Sequence, residues 1–300
     1  MDMKQALSGG IPRPGETPDA CLERVRAASV RKTTPCGEGD LVWHVWGESE
    51  ERKTPVVLLH GNFGSWPHWI RNIPAFAEKY VLYVPDLPGF GDSAPPPEPY
   101  SMDGIVEAVI KGIDALASPE TRLHVAGFSY GSTVSGFTAR ALGARALSLC
   151  LCGGSRIAGM QDLPRDFRNW RKAESDEERL AAHRHNLGEA MFSGHGAVDD
   201  LAVAIQDWIA PRGRIKPREF LRPGDLVPAL KDVVAPKITI WGTRDPYYPF
   251  LKSKWREAIV EGNVDLALQE VEGAGHWAIY EFHEEMNRRL LAWFAANDPK

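Results

Sequence analysis

Long apolar runs, an excess of basic residues and a cysteine framework are all missing from this 300-residue sequence. No apolar run approaches the roughly 20 residues that a membrane-spanning helix needs. The formal net charge of −5 and the pI near 6.0 give no basic surface for nucleic acid. We therefore expect neither a membrane nor a nucleic acid as a partner.

The four cysteines do not have the spacing of a zinc site. Cys150 and Cys152 alternate within an apolar segment, so we expect them to be buried thiols. The N-terminus lacks the apolar segment of a secretory signal. These features predict a cytoplasmic protein with reduced cysteines, and they imply no metal and no organic cofactor.

The composition is that of a globular protein, with 43% apolar and 25% charged residues. Short apolar segments alternate with helical patterns, which predicts an α/β fold with a mostly parallel, twisted sheet flanked by helices. The predicted strands lie at residues 41–46, 56–60, 81–85, 123–128, 147–152, 238–241 and 266–271.

The alternation is interrupted once along the chain. Residues 155–234 contain charged amphipathic helices and no convincing strand, which predicts an inserted helical lid. The core of the fold is then formed by residues 39–154 and 235–300. Residues 1–38 are rich in proline, glycine and threonine, so we expect them to form a loosely attached lead-in.

The pentapeptide Gly127-Phe128-Ser129-Tyr130-Gly131 lies between a predicted strand and a helical pattern. Glycines on both sides of a serine permit a tight turn that lifts the hydroxyl of Ser129 clear of the sheet. The same pattern also occurs in ordinary loops that cap a helix. A catalytic function therefore depends on partner residues elsewhere in the chain.

Three other polar segments follow predicted strands, and they contain His60, Asp245 and His276. Because the carboxyl ends of parallel strands meet at one edge of a sheet, these segments should lie close to Ser129. We expect His276 to take the proton of the nucleophile Ser129, and Asp245 to orient the imidazole. We expect His60 to support the loop beneath the site.

The remaining predicted site residues surround the reacting carbonyl. Backbone N–H groups of Tyr130 and Asn62 are the expected oxyanion hole, with the Asn62 side-chain amide as a further donor. Phe63, Trp66 and Trp277 are the expected substrate contacts. Their aromatic character predicts a small or medium hydrophobic substrate. About half of the aromatic residues near these segments are instead expected to pack the lid against the core.

From about Leu41 to the C-terminus, the chain resembles the lidded α/β-hydrolase superfamily, in which the triad follows the order Ser, Asp, His. Residues 275–278, Glu281 and Asn287 are similar to the meta-cleavage-product C–C hydrolases and to soluble epoxide hydrolases. Epoxide hydrolases and haloalkane dehalogenases use aspartate as the nucleophile. Ser129 argues against both.

The C–C hydrolases typically carry asparagine before the serine, where this chain has Phe128. They also use a lid arginine to hold the dienoate carboxylate, for which Arg184 and Arg212 are the candidates here. These departures favour a carboxylesterase that cleaves an uncharged ester through an acyl-enzyme at Ser129.

A C–C hydrolase of aromatic ring-fission products is the alternative. A ligand receptor on a hydrolase scaffold, with vestigial catalysis, is a further one. The oligomeric state cannot be predicted from the sequence.

Overall fold

The computed structural model describes residues 2–48, 53–154, 166–221, 224–249, 252 and 264–299. The strands in these ranges are β1 (Val30–Cys36), β2 (Gly39–Trp46), β3 (Pro55–Leu59), β4 (Val81–Pro85), β5 (Leu123–Phe128), β6 (Ala146–Cys152), β7 (Lys237–Gly242) and β8 (Ala267–Val271). They form one sheet in the order β1-β2-β4-β3-β5-β6-β7-β8. Only β1 and β2 run antiparallel to their neighbours. The predicted mostly parallel α/β sheet is therefore confirmed.

The interior strands follow from uninterrupted apolar segments. Every residue of β3, β4, β5 and β6 is buried, which is expected for parallel strands covered by helices on both faces. The carboxyl ends of β5, β7 and β8 lie on the same side of the sheet, because these strands are parallel. This edge carries the segments that contain Ser129, Asp245 and His276.

Helices cover the two faces of the sheet. They are α1 (Met3–Leu7), α2 (Pro18–Ala27), α3 (Ile73–Ala77), α4 (Met102–Leu116), α5 (Tyr130–Leu142), α6 (Asp176–Ala190), α7 (Asp200–Ile209), α8 (Leu226–Lys231), α9 (Ala278–Glu281) and α10 (His283–Ala296). Helices α4, α5 and α8 contribute to one hydrophobic core, whereas α2, α3, α7 and α10 contribute to the other. Within the described ranges, no helix has the length and apolar character needed to cross a membrane.

The first 38 residues are not the loose lead-in that their composition predicts. Residues Val30–Cys36 form β1 and pair with β2 along their whole length. Helix α2 buries Cys21 and Val25, and the Trp46 indole N–H donates to the Val25 carbonyl over 3.1 Å. The sheet and its second core therefore depend on this segment.

The composition is misleading because an edge strand needs only one buried face. In β1, Thr34 and Cys36 are buried while the Pro35 between them is exposed. A proline, which cannot donate to a ladder, is acceptable at a sheet edge. The polar, proline-containing sequence that resembles a loop is thus compatible with an edge strand.

The described residues between β6 and β7 contain helices and no strand. We call residues 166–221 the helical segment. Helix α8, which the sequence places at the end of the lid, packs instead on α5 in the core. A Cβ at Gly136 would lie only 2.4 Å from Leu226 Cδ1, so the two helices are in close contact there.

Candidate active site

Ser129 occupies a sharp turn between β5 and α5, with φ of 52° and ψ of −114°. This conformation is unfavourable for a residue with a side chain, and such strain is often found at functional sites. A Cβ at Gly127 would lie 2.1 Å from the Gly131 oxygen, and a Cβ at Gly131 would lie 2.2 Å from the Leu59 oxygen. Both glycines are therefore required by the close approach of backbone atoms.

The structure brings Ser129, His276 and Asp245 together. The Ser129 Oγ lies 2.9 Å from His276 Nε2, and His276 Nδ1 lies 2.6 Å from Asp245 Oδ2. A carboxylate only accepts hydrogen bonds, so the proton of the neutral imidazole is on Nδ1 and Nε2 accepts from the serine hydroxyl. His276 and Asp245 are buried, at 5% and 1% exposure. The arrangement can remove a proton from Ser129.

Glu281 fixes the loop that carries His276. Its carboxylate accepts from the Gly275 N–H over 2.9 Å. It also accepts from the backbone N–H of Ser193, at 3.1 Å, and from the Ser193 hydroxyl. One carboxylate therefore connects the loop of His276 to the chain that follows α6 in the helical segment.

The backbone N–H of Tyr130 and the loop that contains Asn62 lie beside the serine. Tyr130 is the first residue of α5, so its N–H has no acceptor within the helix and lies at the positive end of the helix dipole. The loop of Asn62 passes next to Ser129, since a Cβ at Gly61 would lie 3.3 Å from Ser129 Cβ. The Asn62 side-chain oxygen accepts from the Phe63 N–H over 3.0 Å, so the side-chain oxygen is used within its own loop.

His60 supports this loop from below and is fully buried. Its Nδ1 donates to the Gly61 carbonyl, and its Nε2 accepts from the Leu87 N–H, both over 2.8 Å. Burial lowers the pKa of His60 to about 4, despite the opposing effect of the Asp86 carboxylate. The ring is therefore neutral near pH 7 and holds the loop through one donor and one acceptor.

The lowered pKa of His60 makes folding sensitive to acid. An ordinary histidine with a pKa of 6.5 takes up a proton in the unfolded chain, whereas folded His60 excludes that proton down to about pH 4. The free energy of unfolding should thus decrease by about 3 kcal/mol from this group alone as pH falls through that interval. We expect His60→Gln, measured by urea unfolding at several pH values, to have a smaller pH dependence. An unchanged dependence would contradict this assignment.

Ser129 and His276 open into a cavity of about 720 Å³. Its aromatic lining residues include Phe63, Phe128, Tyr130, Phe167, Trp170 and Tyr247. Its cationic lining residues are Arg171, Arg214, Lys216 and Arg218. Among the described residues, no aspartate or glutamate lines this cavity, and no group of three potential metal-ligating side chains occurs.

Of the three aromatic residues predicted to contact substrate, only Phe63 lines the cavity, where its side chain is 41% exposed. Trp66 is 1% exposed and packs against Trp46 with ring centroids 5.7 Å apart. Trp277 is also 1% exposed and stacks on Tyr280 at 4.3 Å. The prediction is wrong for both tryptophans because their rings pack into the second hydrophobic core.

The candidate arginines Arg184 and Arg212 do not line the cavity. Arg184 donates to the Val198 carbonyl and pairs with Asp200. Arg212 lies over the Trp208 ring, 4.3 Å from its centroid, and donates to the carbonyl of the same residue. Sequence reasoning missed five other side chains that line the cavity, namely those of Arg171, Arg214, Lys216, Arg218 and His68.

This fold and site define a class of protein. The sequence model of the alpha/beta hydrolase family matches residues 56–289, and the chain belongs to that family.

The proteins to which this chain is similar differ in what their names say they hydrolyse. A 2-hydroxy-6-oxononadienedioate/2-hydroxy-6-oxononatrienedioate hydrolase of Paraburkholderia xenovorans is 25% identical over 276 residues, covering 86% of this chain and 92% of that protein. The solved meta-cleavage product hydrolase of Pseudomonas fluorescens is 23% identical, with a TM-score of 0.65, covering 89% of this chain and 98% of that one. The naproxen esterase of Bacillus subtilis is 18% identical, with a TM-score of 0.67, covering 89% and 92%. The two solved structures show likeness in fold alone.

Proposed function

We propose that the protein is a serine hydrolase that cleaves a C–C bond in ring-fission products carrying carboxylates. Ser129 attacks the ketone carbon at the bond to be cleaved in the keto tautomer, while His276 accepts the serine proton and Asp245 stabilises the imidazolium. The N–H groups of Tyr130 and Asn62 stabilise the oxyanion. Cleavage of the bond leaves its electron pair on the dienoate as an enolate, which takes the proton from His276. Water then hydrolyses the acyl-enzyme.

The cationic lining of the cavity carries this proposal. Arg214 is committed to the fold, because its guanidinium donates to the Gly91 carbonyl over 3.0 Å and to the Ser93 carbonyl. Arg171, Lys216 and Arg218 are exposed, so they lie toward the mouth of the cavity; of these, Lys216 lies 3.6 Å from the Glu219 carboxylate. The cavity is lined by cationic side chains and by no carboxylate of the described residues, and such a lining favours an anionic ligand.

The relatives support the same substrate class. The Paraburkholderia xenovorans protein is named for a dienedioate, which bears a carboxylate at each end. In this dienedioate, the ketone lies between a short chain that bears a carboxylate and the dienoate. A cavity with a nucleophile and three cations near its mouth matches a linear substrate with two negative ends. This reverses the preference for an uncharged ester.

Ester hydrolysis is the second candidate, and Phe128 favours it. The Phe128 ring contacts the His276 ring, with centroids 5.2 Å apart, at the position where C–C hydrolases typically have asparagine. An apolar ring beside the base offers no hydrogen bond to a dienoate. Esterases also occur among the structures that share this fold.

We also propose that the helical segment acts as a lid. Trp170, Ala190, Gln206 and Leu221 all belong to it and line the cavity together with Ser129. A covering of this kind excludes water from the reacting atoms.

A double substitution tests the role of the charges. We expect Arg171→Gln with Arg218→Gln to lower kcat/KM for 2-hydroxy-6-oxononadienedioate roughly 10- to 100-fold at low salt, and less at high salt. Turnover of p-nitrophenyl butyrate should change less than about threefold, because a neutral ester needs no cation. Steady-state absorbance assays measure both substrates.

Arg184→Gln is the matched control, because Arg184 belongs to the helical segment but does not line the cavity. Equal losses for both substrates in the double variant would indicate structural damage rather than lost charge. If the wild-type protein hydrolysed the ester much faster than the dienedioate, the ester function would replace the proposal.

A further inference from the structure

His68 forms part of the cavity wall and has no role in the triad. It lies in the short 3-10 helix Trp66–Trp69 and is 2% exposed. Its ring packs edge-on against Phe128 and Trp277, with centroids 5.4 and 5.0 Å apart. A Cβ at Gly64 would lie 2.3 Å from His68 Cε1, so the chain makes room for this ring.

One nitrogen of the His68 ring is committed to the loop beside the nucleophile. Nδ1 accepts a hydrogen bond from the Gly61 N–H over 3.1 Å, so it carries no proton. Burial, together with the nearby His60 and His276, holds the pKa of His68 well below its ordinary value. The ring is therefore neutral, and its single proton is on Nε2.

The Nε2–H has no acceptor among the residues that the structure describes. Nε2 is not among the buried side-chain atoms that lack a partner in the described part of the chain, so it is accessible from the cavity. Because His68 lines the cavity, an oxygen of a bound molecule can supply that partner.

The position of His68 indicates which part of a substrate it meets. The Phe128 ring contacts both His68 and His276, so His68 lies one aromatic ring away from the base. An oxygen held by His68 is then displaced from the carbonyl that Ser129 attacks. In a ring-fission dienoate, the enol or keto oxygen of the dienoate end is displaced in this way.

We propose that His68 contacts the substrate directly, its Nε2–H donating a hydrogen bond to the enol or keto oxygen at the dienoate end. This inference rests on the proposed function. When the C–C bond breaks, negative charge moves onto this oxygen, so a donor held here stabilises the departing enolate. The same ring, through Nδ1, keeps Gly61 in place.

Two substitutions separate the two nitrogens of the ring. In His68→Asn, the side-chain oxygen takes the place of Nδ1 and accepts from Gly61, but nothing replaces the Nε2 donor. In His68→Gln, the longer side chain brings its amide to the position of Nε2, but Gly61 loses its acceptor. The pair tests substrate contact against support of the loop.

We expect His68→Asn to lower kcat/KM for 2-hydroxy-6-oxononadienedioate roughly 10- to 100-fold more than it lowers kcat/KM for p-nitrophenyl butyrate. His68→Gln should affect both substrates and preserve the ratio of their kcat/KM values. Parallel losses for both substrates in His68→Asn, or no loss for either, would overturn the proposal.

A binding measurement covers the case in which a variant is poorly folded or inactive. In Ser129→Ala protein, adding His68→Gln should weaken binding of the dienedioate less than adding His68→Asn, and urea unfolding monitors the fold of each variant. Equal weakening by both would count against the contact.

The proposal and the proposed function can fail separately. If wild-type protein hydrolyses esters but not the dienedioate, the proposed function is wrong. The p-nitrophenyl esters of pentanoate and 4-oxopentanoate then decide the role of His68, because they differ by one ketone oxygen. If His68→Asn lowers kcat/KM for the oxo ester more than for the pentanoate ester, the contact is supported. Equal losses for the two esters would contradict it.

Discussion

Replacing Ser129 by alanine is expected to lower kcat by roughly five to six orders of magnitude for every substrate that the protein hydrolyses. The hydroxyl oxygen lies 2.9 Å from His276 Nε2, so in the proposed mechanism its removal leaves the base without a nucleophile to activate. Because residues of a triad act as a unit, Ser129→Ala with His276→Ala should lose little more than Ser129→Ala alone. Steady-state kinetics on the dienedioate and on p-nitrophenyl butyrate measure these effects.

Covalent labelling gives an independent measurement of the same residue. Folded wild-type protein should react with a fluorophosphonate at Ser129, whereas Ser129→Ala should not. Ser135→Ala is a matched control on helix α5, which follows Ser129. The buried Ser135 hydroxyl donates to the Ser132 carbonyl over 2.8 Å, so it is used within the helix. Retention of more than about a hundredth of kcat in Ser129→Ala would contradict the mechanism.

Replacing Gly131 by alanine should lower the free energy of unfolding by about 3 kcal/mol or more. The new Cβ would lie 2.2 Å from the Leu59 oxygen and 2.5 Å from the His60 oxygen. Both atoms are backbone atoms at the end of β3, so they cannot move aside without disturbing the sheet. Urea unfolding measures the loss, and kcat should fall as well, because the turn of Ser129 is displaced.

Gly196→Ala provides the comparison for that substitution. Gly196 is exposed, and no atom lies within 4 Å of the position its Cβ would occupy. The free energy of unfolding of Gly196→Ala protein should therefore differ from that of wild type by less than about 0.5 kcal/mol. Equal unfolding midpoints for Gly131→Ala and Gly196→Ala would show that the turn tolerates a side chain.

Much of the fold is predictable because its interior strands are chemically distinct. A strand buried on both faces must be apolar at every position, as in Leu123–Phe128 and Ala146–Cys152. The edge strand Val30–Cys36 obeys a weaker rule, since only one face is covered. Sequence patterns therefore identify the centre of this sheet better than its margin.

The residues near Ser129 are predictable to a different degree. Asp245 and His276 follow strands in the expected order, so topology alone places them close to the serine. The cavity wall depends on side-chain direction, which a linear pattern does not contain. Trp66 and Trp277 point into the core, whereas His68, only two positions after Trp66, lines the cavity.

The carboxylate of Glu281 also has a mechanical consequence. It holds Gly275, next to the base, and Ser193, in the chain that follows α6. The Trp277 N–H reinforces this connection by donating to the Met191 carbonyl over 2.6 Å. Any motion that lifted this part of the helical segment would pull His276 away from Ser129. We therefore expect His276 to stay aligned with Ser129 only while this part of the helical segment keeps its hydrogen bonds to Glu281.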